Sequence, residues 1–348
     1  MTDPTRYLLT GANGWLGQRV ALALTQGNAE MGASGGHPVR ALVQPGEDTT
    51  GLAKLGVEIV SGDLRDPAAR ADLMRGAAGG ILVHLAGVIH PVGGVKVFTE
   101  VNVEGTASLV QDARTAEVSR VVVMSSNSPF GANRTVDGLF TEESPYNPYM
   151  GYGRSKKAME EMLRARMGEP GWPEIVVLRA PWFYGPGQPP RQSRFFTMIK
   201  AGRFPVMGAG ANRRSMGYVD SLAFGILLAS QTQSAAGKFF WIADERPYPM
   251  AEVIETVRTV LSEDFGMAVS PRTLHVPAII ADLARIADAS LQGVGLYNQE
   301  IHVLSEMNLT IACSIERAKA ELGYRPLVDL REGMRRSVQW CLDNGIAI

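Results

Sequence analysis

Short apolar runs alternate with segments of helical spacing over the first half of the chain. Continuous apolar runs predict strands at Tyr7–Thr10, Val39–Val43, Val57–Val60, Ile81–Leu85, Arg120–Met124 and Ile175–Leu178. Between them, apolar residues recur at helical intervals and predict helices at Trp15–Thr25, Pro67–Arg75, Phe98–Arg114 and Tyr152–Arg166. Continuous Val/Ile/Leu runs are typical of parallel strands that are covered on both faces. The pattern therefore predicts an α/β fold with a doubly wound parallel sheet.

The pattern changes after residue 185. Tyr184–Arg194 is rich in Gly, Pro and Arg and predicts a loop. Tyr218–Ser230 then predicts a helix and Phe239–Ala243 a strand, so we expect residues 217–245 to return to the sheet. The predicted organisation is a Rossmann-type domain over residues 1–185 and a smaller C-terminal substrate-binding region over 186–216 and 246–348. Further helical spacing lies at Met250–Leu261, Val276–Leu291 and Ile315–Leu342.

Composition limits the classes of partner. The 348 residues carry 34 Lys+Arg against 35 Asp+Glu, a formal net charge of −1, which argues against nucleic-acid or anionic-membrane binding. The two cysteines, Cys313 and Cys341, stand outside any Cys/His cluster, so we expect neither a disulfide framework nor a metal site. The longest apolar stretches, such as Leu222–Ala229, are too short to span a bilayer. These features predict a cytoplasmic protein with a small-molecule substrate.

A glycine motif opens the first predicted helix. Gly11, Gly14 and Gly17 form G-x-x-G-x-x-G directly after the first strand. A dinucleotide pyrophosphate has to approach backbone N–H groups at a helix N-terminus, and a Cβ would hold it off. The motif lies in the first strand–helix–strand unit and so predicts a dinucleotide site. The residues assigned to it are Gly11, Asn13, Gly14, Trp15, Leu16 and Gly17.

The second strand bears on the choice of cofactor. An acid at its end favours NAD through the ribose 2′-OH, and an arginine favours the phosphate of NADP. This chain has Gln44 there, which can bond a hydroxyl and brings no charge to a phosphate. We therefore predict NAD and leave NADP open. Asp63 and Leu64, after the third strand, are candidates for the adenine edge, although Asp63 suits a helix cap equally well.

Three residues predict the chemistry. Ser126 ends the fifth strand, where ligands of open α/β sheets bind, and Tyr152 and Lys156 have the i, i+4 spacing that puts them on one helix face. A phenol has a pKa of about 10, so a base at neutral pH needs a pKa lower by roughly three units, about 4 kcal/mol. An ammonium about 4 Å away contributes up to ~4 kcal/mol at an effective dielectric near 20. We expect Lys156, together with the positive nicotinamide ring, to lower the pKa of Tyr152, and Ser126 to bond the substrate oxygen.

These motifs together resemble the extended short-chain dehydrogenase/reductases, the NAD-dependent epimerase/dehydratase family. The resemblance covers nearly the whole chain. It is carried by TGANGWLG (10–17), GDL (62–64), HLAG (84–87), NVEGT around Asn102, SS (125–126), YGRSK (152–156), LRAPWFYGPG (178–187), YVD (218–220) and ELGYRP (321–326).

The resemblance implies further roles. Leu85, Ala86 and Gly87 would line the nicotinamide ribose, and Pro181 would lie by the carboxamide; Lys156 would also bind ribose hydroxyls. Asn102 is assigned to the cofactor site. The helices Phe98–Arg114 and Tyr152–Arg166 would pair across a homodimer.

The substrate remains open between two reactions. Related 4,6-dehydratases carry Asp and Glu after the catalytic hydroxyl residue, where this chain has Asn127 and Ser128, so we expect no dehydratase and assign Ser128 to the substrate site. Arg214 stands in the G-x-G-x-x-x-R register that resembles nucleotide-sugar epimerases, and such a cation suits a diphosphate. Arg191 is a further candidate for that role. The first hypothesis is therefore a nucleotide-sugar epimerase that works through a transient ketone.

The rival hypothesis is an alcohol dehydrogenase or ketone reductase resembling the 3β-hydroxysteroid and dihydroflavonol types. Trp182 and Phe183 stand where those epimerases often have Asn, which makes the expected pocket wall more apolar. The helical segment Val276–Leu291 is a candidate cap for such a pocket. A third hypothesis, a non-catalytic dinucleotide sensor, conflicts with the intact Ser126, Tyr152 and Lys156.

Overall fold

The structure is a computed structural model that describes residues 5–91 and 94–348, and only the backbone of residue 191. Its strands are β1 (Tyr7–Thr10), β2 (Val39–Val43), β3 (Glu58–Ser61), β4 (Ile81–His84), β5 (Arg120–Ser126), β6 (Glu174–Ala180), β7 (Trp182–Tyr184), β8 (Pro205–Met207), β9 (Arg213–Arg214), β10 (Met216–Tyr218), β11 (Phe239–Trp241), β12 (Tyr248–Pro249) and β13 (Leu274–Val276).

The helices of the N-terminal half are α1 (Trp15–Gln26), α2 (Thr50–Lys54), α3 (Pro67–Met74), α4 (Lys96–Thr99), α5 (Thr106–Thr115) and α6 (Met150–Arg164). A π-helical stretch, Glu100–Gly105, joins α4 and α5 into one continuous helix. The remaining helices are α7 (Pro190–Lys200), α8 (Val219–Gln231), α9 (Met250–Thr259), α10 (Ile279–Gly293), α11 (Gln299–Glu306), α12 (Glu316–Leu322) and α13 (Leu330–Asp343). Within the described ranges, no helix is long and apolar enough to cross a membrane.

Seven of the described strands form one sheet in the order β11-β6-β5-β4-β1-β2-β3. Every neighbouring pair in it is parallel. The chain reverses direction across the sheet between β1 and β4, and ligands of such sheets bind at the carboxyl ends of the strands beside this point. The predicted doubly wound α/β fold is confirmed.

The later chain returns to this sheet, because β11 pairs with β6 and helix α8 packs against α1. Nearly every residue of α8 is buried, which explains why its sequence is apolar on all sides. The division into a dinucleotide-binding domain and a substrate-binding region stays a prediction.

Two helices differ from the sequence-based expectation. Tyr184–Arg194 was expected to be a loop, but α7 begins within it at Pro190, since proline suits a first helical turn and the following Phe195, Phe196 and Ile199 are buried. Helix α11 was not expected; the side chain of Asn298 caps it by accepting from the Ile301 N–H at 3.0 Å.

On helix α10 the usual distribution of apolar and polar residues is reversed. Small and polar residues point inward, namely Ala281, Ala284, Asp288 and Gln292. Its large apolar residues Ile279, Leu283 and Ile286 are exposed. The large apolar residues of this helix therefore do not pack into the core, and its suggested role as a cap over the site stays a prediction.

A buried ion pair fixes helix α6 to the sheet. Arg179 on β6 and Glu160 on α6 both have fully buried side chains and meet at 2.7 Å. Glu160 also accepts from the Ser125 hydroxyl on β5 at 2.6 Å, and the Arg179 guanidinium lies 4.5 Å from the ring centroid of Phe130. This pair ties α6 to both strands that end at the predicted site.

We expect Arg179→Met to lower the free energy of unfolding by about 3–5 kcal/mol, because it leaves the Glu160 carboxylate buried without its counter-charge. The double variant Glu160→Gln/Arg179→Met should recover much of that loss. Urea unfolding of the three proteins measures the difference. Equal losses in the single and double variants would show that the unpaired charge is not the cause.

Candidate active site

The glycine loop leaves no room for side chains on its inner side. Gly11 has φ +71°, and a Cβ on it would lie 2.7 Å from the backbone nitrogen of Ala86. A Cβ on Gly17 would lie 2.1 Å from the carbonyl oxygen of Gly11. Gly14 precedes α1 as its N-cap residue, with no side chain over the first turn. This arrangement fits a pyrophosphate at the N-terminus of α1.

Two residues of the glycine loop have side chains with other contacts. The Leu16 side chain is buried in the hydrophobic core, so its backbone alone is available to a cofactor. The Trp15 indole N–H donates to the carbonyl of Pro186 at 2.7 Å, and its ring lies 4.8 Å from that of Phe183. Trp15 therefore connects the glycine loop to the loop after β7.

The adenosine end of the predicted site contains an acid that the sequence analysis missed. Gln44 is exposed, and its carbonyl accepts from the Glu47 N–H at 3.3 Å. The Glu47 carboxylate in turn accepts from the side-chain amide of Asn13 at 3.2 Å. An acid therefore lies beside the glycine loop. The sequence feature that could have revealed Glu47 is its position just beyond the end of β2, where the turn Pro45–Gly46 directs the chain back toward the glycine loop.

Asp63 and Leu64 are engaged within the protein. Asp63 bonds the Arg65 guanidinium through both carboxylate oxygens, at 2.9 and 2.8 Å, which lowers the pKa of Asp63. The Leu64 side chain is buried in the core. Asp63 is therefore paired with Arg65 rather than capping α3, whose N-cap residue is Asp66.

The loop after β4 lies against both the glycine loop and α6. Leu85 donates its N–H to the carbonyl of Thr10 at 3.1 Å. Gly87 lies beside Lys156, since a Cβ on Gly87 would be 3.4 Å from Nζ. Asn102, in the π-helical stretch, bonds both backbone groups of Val88 and the Ser155 hydroxyl. Asn102 thus pins this loop, and its amide is engaged within the protein.

The structure brings the three predicted catalytic residues together. Ser126 stands at the end of β5, close enough to the Tyr152 phenol to lower its pKa. The Lys156 ammonium donates to the carbonyl of Met124 at 3.0 Å. The Ser128 hydroxyl lies 3.2 Å from that of Ser126, so the residue assigned to substrate adjoins the triad. Pro181 is buried directly after β6, which ends opposite Ser126.

Burial controls the protonation of the triad. It raises the pKa of Tyr152 to about 12; the Ser126 hydrogen bond lowers it and the nearby charge of Glu306 raises it further. Burial also lowers the pKa of Lys156 to about 8, against the stabilising charge of Glu160. Desolvation is the largest influence of the protein's own groups on the pKa of Tyr152, and the lowering expected from Lys156 together with a bound nicotinamide ring stays a prediction. Tyr152 is a neutral phenol at pH 7.

The cation predicted to bind a diphosphate has a partner within the protein. The Arg214 guanidinium donates to the backbone carbonyl of Glu306, and burial lowers the pKa of Arg214 against the attraction of the Glu306 charge. The negative charge of Glu306 raises the pKa of both Arg214 and Tyr152. Sequence reasoning missed Glu306 because α11 was not expected. The side chain of Arg191, the other predicted cation, lies outside the described part of the structure.

The described residues hold no group of three or more His, Cys, Asp or Glu side chains arranged to bind a metal ion. The groups that meet at the carboxyl ends of the strands are instead hydroxyls, one ammonium and glycine backbone. This set suits a dinucleotide and proton transfer.

Comparison with known proteins identifies the class. The model of the NAD dependent epimerase/dehydratase family matches residues 7–243. The chain belongs to this family, which confirms the resemblance read from its motifs and the prediction of NAD as cofactor.

Individual relatives extend the match over the whole chain. The uncharacterized protein y4nL of Sinorhizobium fredii is 56% identical over 97% of this chain and 95% of its own length. A 2-alkyl-3-oxoalkanoate reductase of Stenotrophomonas maltophilia is 28% identical over 95% of this chain and 98% of its own. The structure of the dTDP-glucose 4,6-dehydratase DesIV from Streptomyces venezuelae is similar with a TM-score of 0.74, 27% identity and 98% of each chain covered.

We expect Lys156→Met to stabilise the protein at pH 7 by on the order of 2 kcal/mol, because the wild type buries an ammonium there. Folding lowers the pKa of Lys156 from 10.5 to about 8, so between these values the unfolded state binds more protons than the folded state. The free energy of unfolding of the wild type should therefore rise with pH in that window, relative to the variant. Denaturant unfolding at pH 7, 8, 9 and 10 measures this gap. A gap that stays constant would refute the assignment.

Proposed function

We propose that this protein is an NAD(H)-dependent oxidoreductase that interconverts a ketone and a secondary alcohol on a substrate without a nucleoside diphosphate. The observation that carries the proposal is the hydrogen bond that the Arg214 guanidinium donates to the backbone carbonyl of Glu306. The cation expected for a diphosphate is thus already hydrogen-bonded within the protein. The charge of the Glu306 carboxylate, in addition, raises the pKa of both Tyr152 and Arg214.

Electrostatics favour an uncharged substrate. A diphosphate beside Tyr152 would have to approach the carboxylate of Glu306, and like charges in a poorly solvated site repel strongly. Trp182 and Phe183 add an aromatic wall, since Trp182 packs on Phe195 with centroids 5.4 Å apart and Phe183 packs on Trp15.

The relatives support the same choice. The 2-alkyl-3-oxoalkanoate reductase is similar over nearly the full length of both chains, and its name describes ketone reduction. The similar 4,6-dehydratase DesIV belongs to a class whose expected Asp and Glu are Asn127 and Ser128 in this chain. Water elimination lacks its acid here, whereas ketone reduction needs only the triad.

The geometry supports a simple proton path. Gly11, Gly14 and the N-terminus of α1 would hold the cofactor pyrophosphate, and Glu47 would meet the adenosine ribose. The reduced cofactor would supply a hydride to the carbonyl carbon of the substrate. Ser126 donates a hydrogen bond to the substrate oxygen and positions it beside Tyr152. The neutral phenol of Tyr152 gives its proton to that oxygen, and the product is the alcohol. The Lys156 ammonium then stabilises the phenolate until a proton returns from solvent.

Nucleotide-sugar epimerisation is the second candidate. Arg214 stands in the register expected for it, and rotation of its side chain away from the Glu306 carbonyl would free the guanidinium for a diphosphate. Epimerisation would use the same triad twice, in oxidation and then in reduction.

A substrate panel separates the two candidates. We expect steady NADH oxidation with apolar 3-oxoacyl compounds and cyclic ketones, and no epimer from UDP- or dTDP-sugars. Tyr152→Phe should lower kcat by about 10²–10⁴-fold, the usual contribution of a positioned acid, and leave the Kd for NADH nearly unchanged. Stopped assays by absorbance and chromatography measure both.

Three results would count against the proposal. Epimer formation without net NADH turnover would favour the second candidate. A Tyr152→Phe variant with the wild-type rate would remove Tyr152 from the reaction. NADH binding with no turnover on either class would favour a dinucleotide sensor.

Glu47 should set the preference for NAD over NADP, because its carboxylate beside Asn13 repels a 2′-phosphate. We expect Glu47→Gln to tighten NADPH binding by about tenfold, or ~1.4 kcal/mol, with little change for NADH. Asp48→Asn is the matched control, since the Asp48 carboxylate faces the Thr50 N–H instead. Fluorescence titration measures both Kd values. An equal effect in the two variants would indicate a general change of surface charge.

A further inference from the structure

A chain of hydrogen bonds runs from the C-terminal helices to the first turn of α6. The Gly151 N–H donates to the side-chain oxygen of Gln292 at 2.9 Å. The Gln292 amide N–H donates to Asp288 at 2.9 Å. The other oxygen of Asp288 accepts from His302 Nδ1 at 2.7 Å and from the Tyr149 hydroxyl at 3.5 Å. Gly151 immediately precedes Tyr152, so this chain of hydrogen bonds ends on the backbone that carries the Tyr152 side chain.

The first turn of α6 needs such a support. Met150 has φ +55°, a left-handed conformation that costs a non-glycine residue on the order of 1–3 kcal/mol. The N–H groups of a first helical turn have no acceptor within the helix. Gly151 has no space to move inward, because a Cβ on it would lie 3.0 Å from the Phe98 ring and 3.1 Å from the Gln292 oxygen. The bond to Gln292 therefore fixes a turn that would not hold this shape alone.

Asp288 determines which way Gln292 points. A glutamine amide can present either its oxygen or its nitrogen. Asp288 accepts only from the nitrogen, so the oxygen must face Gly151. The Asp288 side chain is fully buried, and His302 is its partner on α11. The other ionisable groups that face this cluster are Glu306, 4.0 Å from His302 Nε2, and the phenols of Tyr149 and Tyr297, whose rings pack against His302. Burial lowers the pKa of His302, but Asp288 and Glu306 outweigh it and raise that pKa.

We propose that Gln292 is a positioning residue that holds the first turn of α6 and thereby directs the Tyr152 hydroxyl toward the substrate oxygen. The inference rests on the proposed function of Tyr152 as the proton donor. The other hydrogen bonds of this series orient Gln292, because Asp288 selects the amide rotamer and His302 holds Asp288 in place. Helices α10 and α11 thus act on the reaction through the backbone of α6 without contacting the reacting atoms.

Two substitutions test the proposal. Gln292→Leu removes the acceptor, and we expect kcat to fall by about 10²-fold, the effect of a misplaced reacting group, with the Kd for NADH unchanged. When protonated, the Gln292→Glu side chain mimics the amide, because its O–H donates to Asp288 and its carbonyl oxygen accepts from the Gly151 N–H. When ionised, it is repelled by the Asp288 carboxylate and turns away from Gly151. We therefore expect its kcat to approach the wild-type value at pH 5.5 and to fall toward that of Gln292→Leu at pH 8. Gln299→Leu, on an exposed position of α11, is the matched control and should retain the wild-type kcat.

A second measurement needs no substrate. Hydrogen exchange of the Gly151 amide should be slow in the wild type and in Gln299→Leu, and at least tenfold faster in Gln292→Leu. Unchanged exchange in Gln292→Leu would overturn the proposal even if no ketone is turned over. If exchange accelerates while kcat is retained, or if Gln292→Glu follows Gln292→Leu at every pH, the bond is structural only and the positioning role is refuted. Failure of the proposed function instead appears as absent turnover in the wild type.

Discussion

The partly buried phenol of Tyr152 beside the buried ammonium of Lys156 governs the rest of the site. A phenol and an ammonium in this space both favour their neutral forms, with the pKa of Tyr152 at about 12 and that of Lys156 at about 8. At neutral pH the phenol therefore holds a proton that it can give away, while the lysine stays charged. This combination suits donation to a carbonyl oxygen, because the phenolate that results finds an ammonium one helical turn away.

The surrounding structure keeps this space in shape from three directions. On the side of the central sheet, the Glu160–Arg179 pair fixes α6 to β5 and β6. Asn102 holds the loop after β4 against α6. Gln292 holds the first turn of α6 from the side of the C-terminal helices. Each of these side chains is buried and hydrogen-bonded, so their cost of desolvation is met by partners that also fix the geometry.

The sequence was sufficient for the sheet, the glycine loop and the triad, since continuous apolar runs, the spacing of Gly11–Gly17 and the i, i+4 pair are local patterns. It was insufficient where distant segments meet. The pairing of Arg214 with Glu306 depends on a helix that begins at the capping residue Asn298 rather than at a hydrophobic period. The sign of the Tyr152 pKa shift depends on burial, which no local pattern measures. Glu47 reaches the glycine loop only because the chain turns after Gln44.

The protonation state of Tyr152 in the free protein tests the account most directly. Tyrosinate absorbs near 295 nm, so the difference between the pH titrations of the wild type and Tyr152→Phe isolates this single phenol. The account predicts no difference signal below pH 10, because burial holds the proton on Tyr152. A tyrosinate signal with a midpoint near pH 7 would contradict it and would show that Lys156 outweighs desolvation.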